Sequence, residues 1–232
     1  MLSKNRMPEQ QCITFGEMNI IFNSRTLWRQ LAIWTRALII SKTAGIGIAE
    51  EVFRRVYRVP EGYANMLRIV FGNKISEDYM ILLSAAVSLY NQIITAYLDG
   101  DTDTVNDLAA RLYENADERA TFLSSINPYW DVTEWRDLMY TYVAYTLEEI
   151  VTSITGEHAK NIDVYDRILS QASAMGDYFS QGLFNYMTQI PSDNENQSPS
   201  PFENENQSPS PSDNGNQSMK AVYCNQYERS GK

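Results

Sequence analysis

The stretch Tyr79–Leu98 contains no charged residue over twenty positions, and no other feature of the sequence restricts the fold as strongly. A run of that length and apolarity either crosses a bilayer or forms the buried centre of a helical bundle. Its flanks favour the bundle. Glu77 and Asp78 precede it, Asp99, Asp101 and Asp103 follow it, neither end has a cluster of Lys or Arg, and Asn91-Gln92 in its middle would need partners in lipid. The expectation is therefore a helix surrounded by other helices rather than by lipid.

The rest of the first 190 residues repeats the helical theme. Sustained apolar alternation and hairpin-type Asn-Gly or Asp-Gly turns between strand-like runs are missing, and Asp99-Gly100 ends a helical pattern. A first helix is expected over Arg25–Thr43, where Trp28, Leu31, Ala32, Thr35, Leu38 and Ile39 share one face, with Gly45 and Gly47 ending it. Shorter pieces are expected over Ala49–Arg58 and Gly62–Val70, around Pro60, with Gly72 closing that section. A long helix over Ser76–Leu98 stops at Gly100. Asp101, Thr102 or Asp103 caps the next, which reaches Ile126 before Asn127-Pro128. Asp131-Val132-Thr133-Glu134 has capping-box-like spacing for a helix to Thr155, and the last helix spans Lys160–Ile190. Short connections between long helices give an all-α, antiparallel up-and-down bundle of ferritin-like or similar type.

At Pro191 the composition changes. A ten-residue unit rich in Pro, Ser, Asn, Gln and Glu recurs from Pro191, Pro201 and Pro211, with no aliphatic residue in any copy. Such a segment cannot offset the entropy of ordering, so residues 191–232 are expected to be a disordered tail, 25–190 the folded domain and 1–24 a flexible N-terminal segment. The Asn-Gln-Ser strings at Asn196, Asn206 and Asn216 match a glycosylation acceptor, but Met1–Ser24 has no continuous apolar core of a signal peptide, so the matches are taken as incidental.

Composition narrows the function. With 19 Lys+Arg against 29 Asp+Glu, the formal net charge is -10, the wrong sign for gripping phosphate backbones or anionic membranes. The tail holds six acidic and three basic residues, so the domain itself is also acidic. One His and two Cys, Cys12 and Cys224, leave little for zinc sites or His-dependent catalytic triads. Both thiols are expected to be free in a reducing, cytoplasmic setting. The four Trp (Trp28, Trp34, Trp130 and Trp135) are expected as core or loop anchors, and the polar tips of the fifteen Tyr suit the bundle rim. His158, at a helix junction, is expected to cap or to be exposed. Arg36 is expected to pair with an acidic residue across helices.

Several strings carry a family resemblance: Leu27 through Trp34-Thr35-Arg36, Phe71-Gly72, Tyr113 with Asn115-Ala116-Asp117, Phe122 through Asn127-Pro128-Tyr129-Trp130, Trp135, Asp163-Val164-Tyr165-Asp166, and Met175-Gly176-Asp177. Over Arg25–Leu183 they resemble a family of small helical proteins from spore-forming Gram-positive bacteria, some labelled acetylglutamate kinase or glycosyltransferase. The resemblance implies a helical bundle and adds spore association as a second possible setting. It also implies that three His positions of relatives are occupied here by Leu31, Ala86 and Tyr142. Three imidazoles on packed helices would suit iron, manganese or zinc. Here only carboxylates remain, with Glu149 at the family's Glu position and Asp166 and Asp177 beyond it.

The expected function is therefore non-catalytic, with no cofactor, acting through a protein partner or a second copy of the chain and without nucleic acid or membrane. Trp34, Arg36, Asn127 and Trp130 are the candidate structural or interaction residues. The alternative is a metal-binding bundle using Glu149, Asp166 and Asp177. A nucleotide-dependent amino-acid kinase ranks third, because it needs a sheet with phosphate-cradling Gly-rich loops, and Gly45-Ile46-Gly47 matches neither common fingerprint.

Overall fold

The computed structural model describes residues 13–189. Among them are six helices and no strand: α1 Phe15–Thr43, α2 Ala49–Val56, α3 Val59–Asp99, α4 Thr102–Ile126, α5 Val132–Ile154 and α6 His158–Gln189. The chain is all-α, as its periodicity predicts. The compact bundle unit runs Ile20–Gln189. The repeat tail, Cys12, Cys224 and the three Asn-Gln-Ser strings lie outside the described residues.

Helix α1 begins ten residues before the expected Arg25. Thr14 and Glu17 form a reciprocal cap: the Glu17 carboxylate accepts from the Thr14 amide at 2.6 Å, and the Glu17 amide donates to Thr14 Oγ1 at 3.2 Å. Ser24, assigned from sequence to the flexible segment, is buried. The other caps fall where expected. Asp101 accepts from the Thr104 amide, and Asp131 from the amides of Thr133 and Glu134.

The largest departure is α3. Pro60 sits in its first turn, where its missing N–H costs nothing, and the two expected helices meet at Gly72. There the backbone adopts φ 80°, ψ -178°, a conformation open essentially to glycine alone. The two limbs bend back beside one another, with the rings of Tyr63 and Tyr79 6.3 Å apart.

Side-chain pairings set the topology. Asn115 on α4 donates to the Leu82 carbonyl on α3 while Tyr79 stacks on Phe122, so the second limb of α3 and α4 are antiparallel. Tyr113 against Tyr140 and Asp117 against Arg136 make α4 and α5 antiparallel. Gln171 to the Leu138 carbonyl and Asn161 to the Glu149 carbonyl do the same for α5 and α6. Arg25 with Asp177 and Arg29 with Ser173 run α1 antiparallel to α6.

The charge-free run forms the inner wall. Tyr79, Leu83, Ala86, Val87, Tyr90, Ile93 and Ile94 are buried, while Ile81, Ala85, Gln92, Thr95 and Leu98 face outward. By length and composition the helical stretch Ala49–Asp99 could cross a membrane, yet this one-sided burial is that of a bundle helix. Trp28, Trp130 and Trp135 are among the largest fully buried side chains, each worth about 1.5–3 kcal/mol or more in burial.

Candidate functional site

The structure does not assemble the three carboxylates expected to hold a metal. Asp166 is exposed on α6. Asp177 is held by Arg25, which donates from Nε to Oδ1 and from Nη2 to Oδ2, the latter at 2.8 Å, and both partners are largely exposed. Glu149 alone is buried. Among the described residues, no group of three His, Cys, Asp or Glu side chains is placed to hold a metal ion. The reason is helical phase. Val164, Ile168, Ala172, Met175 and Phe179 fill the inner face of α6, so Asp166 and Asp177 fall outside it.

Glu149 meets Arg36, whose Nη1 donates to Oε1 at 2.7 Å, the interhelix pairing expected of that arginine. The Arg36 guanidinium also lies 4.2 Å from the centre of the Tyr165 ring. Despite this cation, loss of water pushes the Glu149 carboxyl up to about 7, because desolvation outweighs the attraction of Arg36. Asn161 locks the adjoining backbone, donating to the Glu149 carbonyl and to Thr152 Oγ1. Beside the pair, a cavity of about 380 Å³ opens between α1, α5 and α6, lined by Arg36, Thr43, Ser153, His158 and Asn161 among others. His158 is exposed at its rim.

The remaining sequence candidates hold the bundle together. Asn127 is fully buried; its amide donates to the Gly182 carbonyl at 3.0 Å and its Oδ1 accepts from the Tyr129 amide at 2.9 Å, tying the α4–α5 turn to α6. Trp130 stacks on Phe179, and a Cβ built on Gly182 would stand 1.8 Å from Trp130 Nε1. Trp34 is half-buried under the Arg55 guanidinium, 4.5 Å from its ring. Leu31, Ala86 and Tyr142 are all buried.

Sequence reasoning placed the tyrosines on the rim, and four of them overturn this. Tyr63, Tyr79, Tyr90 and Tyr142 are inside, and so are Asn115 and Arg119 of α4. A signal was present. Asn115 and Arg119 fall in the stripe Leu112, Ala116, Ala120, Leu123, where a bundle helix would carry only apolar residues.

A further concave surface lies outside the bundle core. A groove of about 780 Å³ separates the two limbs of α3, with Tyr57, Arg58, Glu61 and Arg68 on one side and Met80, Ile81, Ser84, Ala85 and Ser88 on the other. Ile81 is 64% exposed and Tyr57 49%. Its charged residues are two arginines and one glutamate, a positive balance on an acidic chain. No family model, curated protein or solved structure matches the chain.

Proposed function

We propose that this protein is a non-catalytic helical bundle that works by holding a protein partner, an acidic amphipathic helix, in the groove between the limbs of α3. The observation that carries this reading is the groove itself. It is an open trough between two helices, with Ile81 and Met80 offering apolar contact and Arg58 and Arg68 beside them. A helix that buries apolar residues at three- and four-residue spacing and carries acidic flanks has the complementary shape and charge. The carboxylates that a metal-dependent reading requires are apart, and among the described residues there is no strand to bear a kinase's phosphate loop.

Photo-crosslinking tests it. A photoreactive residue at position 81 in cells producing the protein is expected to trap one principal partner through an acidic helical segment. The same residue at position 162, exposed on α6, is expected not to trap it. Equal trapping at both positions, or dimers of this chain alone, would contradict the proposal.

A further inference from the structure

The pairing with Glu149 does not use up Arg36. Its Nη1 is committed to Glu149 Oε1 at 2.7 Å, while its Nε and Nη2 donate to no oxygen among the described residues and are not sealed from solvent. The arginine side chain keeps 20% of its surface open against 2% for Glu149, and Arg36, not Glu149, lines the cavity of about 380 Å³ between α1, α5 and α6.

The charge of this cavity depends on the proton of Glu149. Burial pushes that carboxyl up to about 7, so near neutrality about half of the molecules carry an uncompensated guanidinium at the cavity wall. The surrounding groups do not cancel it. Tyr142 and Tyr165 are raised by burial and stay protonated, Arg29 and Asp166 are exposed and of opposite sign, and His158 at the rim can only add positive charge.

The other walls divide by polarity. Thr43 of α1 and Ser153 of α5 share one hydrogen bond, Oγ1 to Oγ at 3.1 Å, and Thr43 has a long alternative acceptor in the Ile40 carbonyl at 3.4 Å, so one hydroxyl is readily turned to a guest. Asn161 has spent both amide hydrogens on the Glu149 carbonyl and Thr152, and so fixes the wall instead of donating to a guest. Ile40, Ala44 and Ile162 complete the lining with apolar surface, and Ile162 is left 57% exposed. One cation, a hydroxyl pair and an aliphatic wall suit a guest with a single negative charge and a short hydrocarbon body. A carboxylate matches the planar fork of a guanidinium edge, whereas a phosphate dianion would set two charges against one arginine beside Glu149.

We propose that this cavity binds a small aliphatic monocarboxylate, held by the guanidinium edge of Arg36 that Glu149 leaves free, by a hydroxyl of Thr43 or Ser153, and by Ile40 and Ile162 along its chain. The guest and Glu149 compete for one positive charge, so binding goes with retention of the proton on Glu149. It needs no occupant in the α3 groove.

Titration of the full, nitrogen-15-labelled chain with sodium pentanoate at constant ionic strength, followed by amide NMR, tests this. The expected result at pH 6 is a saturable shift with a Kd on the order of 1 mM, confined to the ends of α1 and α5 and the first turn of α6. Pentanamide, the uncharged analogue, should give none. Between pH 6 and pH 8 the affinity should fall about tenfold, following the protonated fraction of a carboxyl that titrates at about 7; Glu149→Gln should remove that dependence and His158→Gln should keep it. Arg36→Met should bind about tenfold more weakly or worse. Should that variant fail to fold, Ile162→Asp, which sets a like charge at an exposed position of the cavity, should weaken binding about fivefold. No saturable response to pentanoate, an equal response to pentanamide, a pH-independent affinity, a pH dependence lost in His158→Gln, or undiminished binding in Arg36→Met or Ile162→Asp would overturn the proposal.

Discussion

Arg36 Nη1 lies 2.7 Å from Glu149 Oε1, and the carboxyl still titrates near neutrality because it is almost wholly cut off from water. Its pKa in the folded state, about 7, stands above its value of about 4.3 in an unfolded chain. The folded state therefore binds this proton more tightly. The stability it contributes is full below about pH 4.3 and is lost as the pH rises to about 7. Urea unfolding from pH 5 to pH 8 should show wild type losing more stability than Glu149→Gln, by an amount on the order of 3 kcal/mol. Parallel pH curves for the two proteins would mean that Glu149 is ionised throughout.

Gly182 is the point where α6 makes room for an indole. Gly182→Ala should cost about 1–3 kcal/mol in urea unfolding, since the Cβ would overlap Trp130 Nε1. Trp130→Phe removes that nitrogen. The double variant should therefore be less unstable than the two single losses added together.

Much of this architecture is legible in the sequence, and each missed part has a local cause. The Asp101 and Asp131 caps are read correctly because a capping side chain acts on amides two or three residues away. The same logic applied to Thr14 and Glu17 would have started α1 at Phe15, but the exposed Phe22 and the polar Asn19 and Asn23 mask the helical stripe there. The Gly72 break is visible as a glycine between two helical patterns. That the limbs fold back to make a groove is not, because it depends on tertiary packing of Tyr63 against Tyr79.

The candidate site is less legible than the fold. Glu149 and Arg36 could be paired by type, whereas the outward positions of Asp166 and Asp177 follow from which face of α6 packs inward. Tyr63, Tyr79 and Tyr90 read as rim residues by their polar tips. Their burial becomes apparent only once Asn115 and Arg119 are recognised on the apolar stripe of α4.

Gly72 should tolerate no side chain, for reasons of backbone alone. A Cβ there meets nothing within 4 Å, so the cost of Gly72→Ala, about 1–3 kcal/mol, comes from φ 80° and not from a clash. Chemical denaturation measures it, and a loss well under 1 kcal/mol would show that the limbs meet through a different turn.

Asn127→Ala should destabilise by about 2–3 kcal/mol, because it leaves the buried Gly182 carbonyl and the Tyr129 amide without their partner. Asp131→Ala, which removes a solvent-exposed helix cap, should cost about 1 kcal/mol. Thermal and urea unfolding of the two variants side by side gives the comparison, and an equal or reversed order would contradict the tie between the α4–α5 turn and α6.

Occupation of the α3 groove by an acidic helix is tested most directly by charge reversal on both sides. With the partner trapped at position 81 in hand, the affinity of the purified pair is measured for wild type, for Arg68→Glu, and for Arg68→Glu against a partner whose facing acidic residue is changed to Lys. The account predicts about a tenfold loss for the single reversal and substantial recovery for the double. Unchanged affinity on Arg68→Glu, or a loss that the compensating change does not repair, would contradict it.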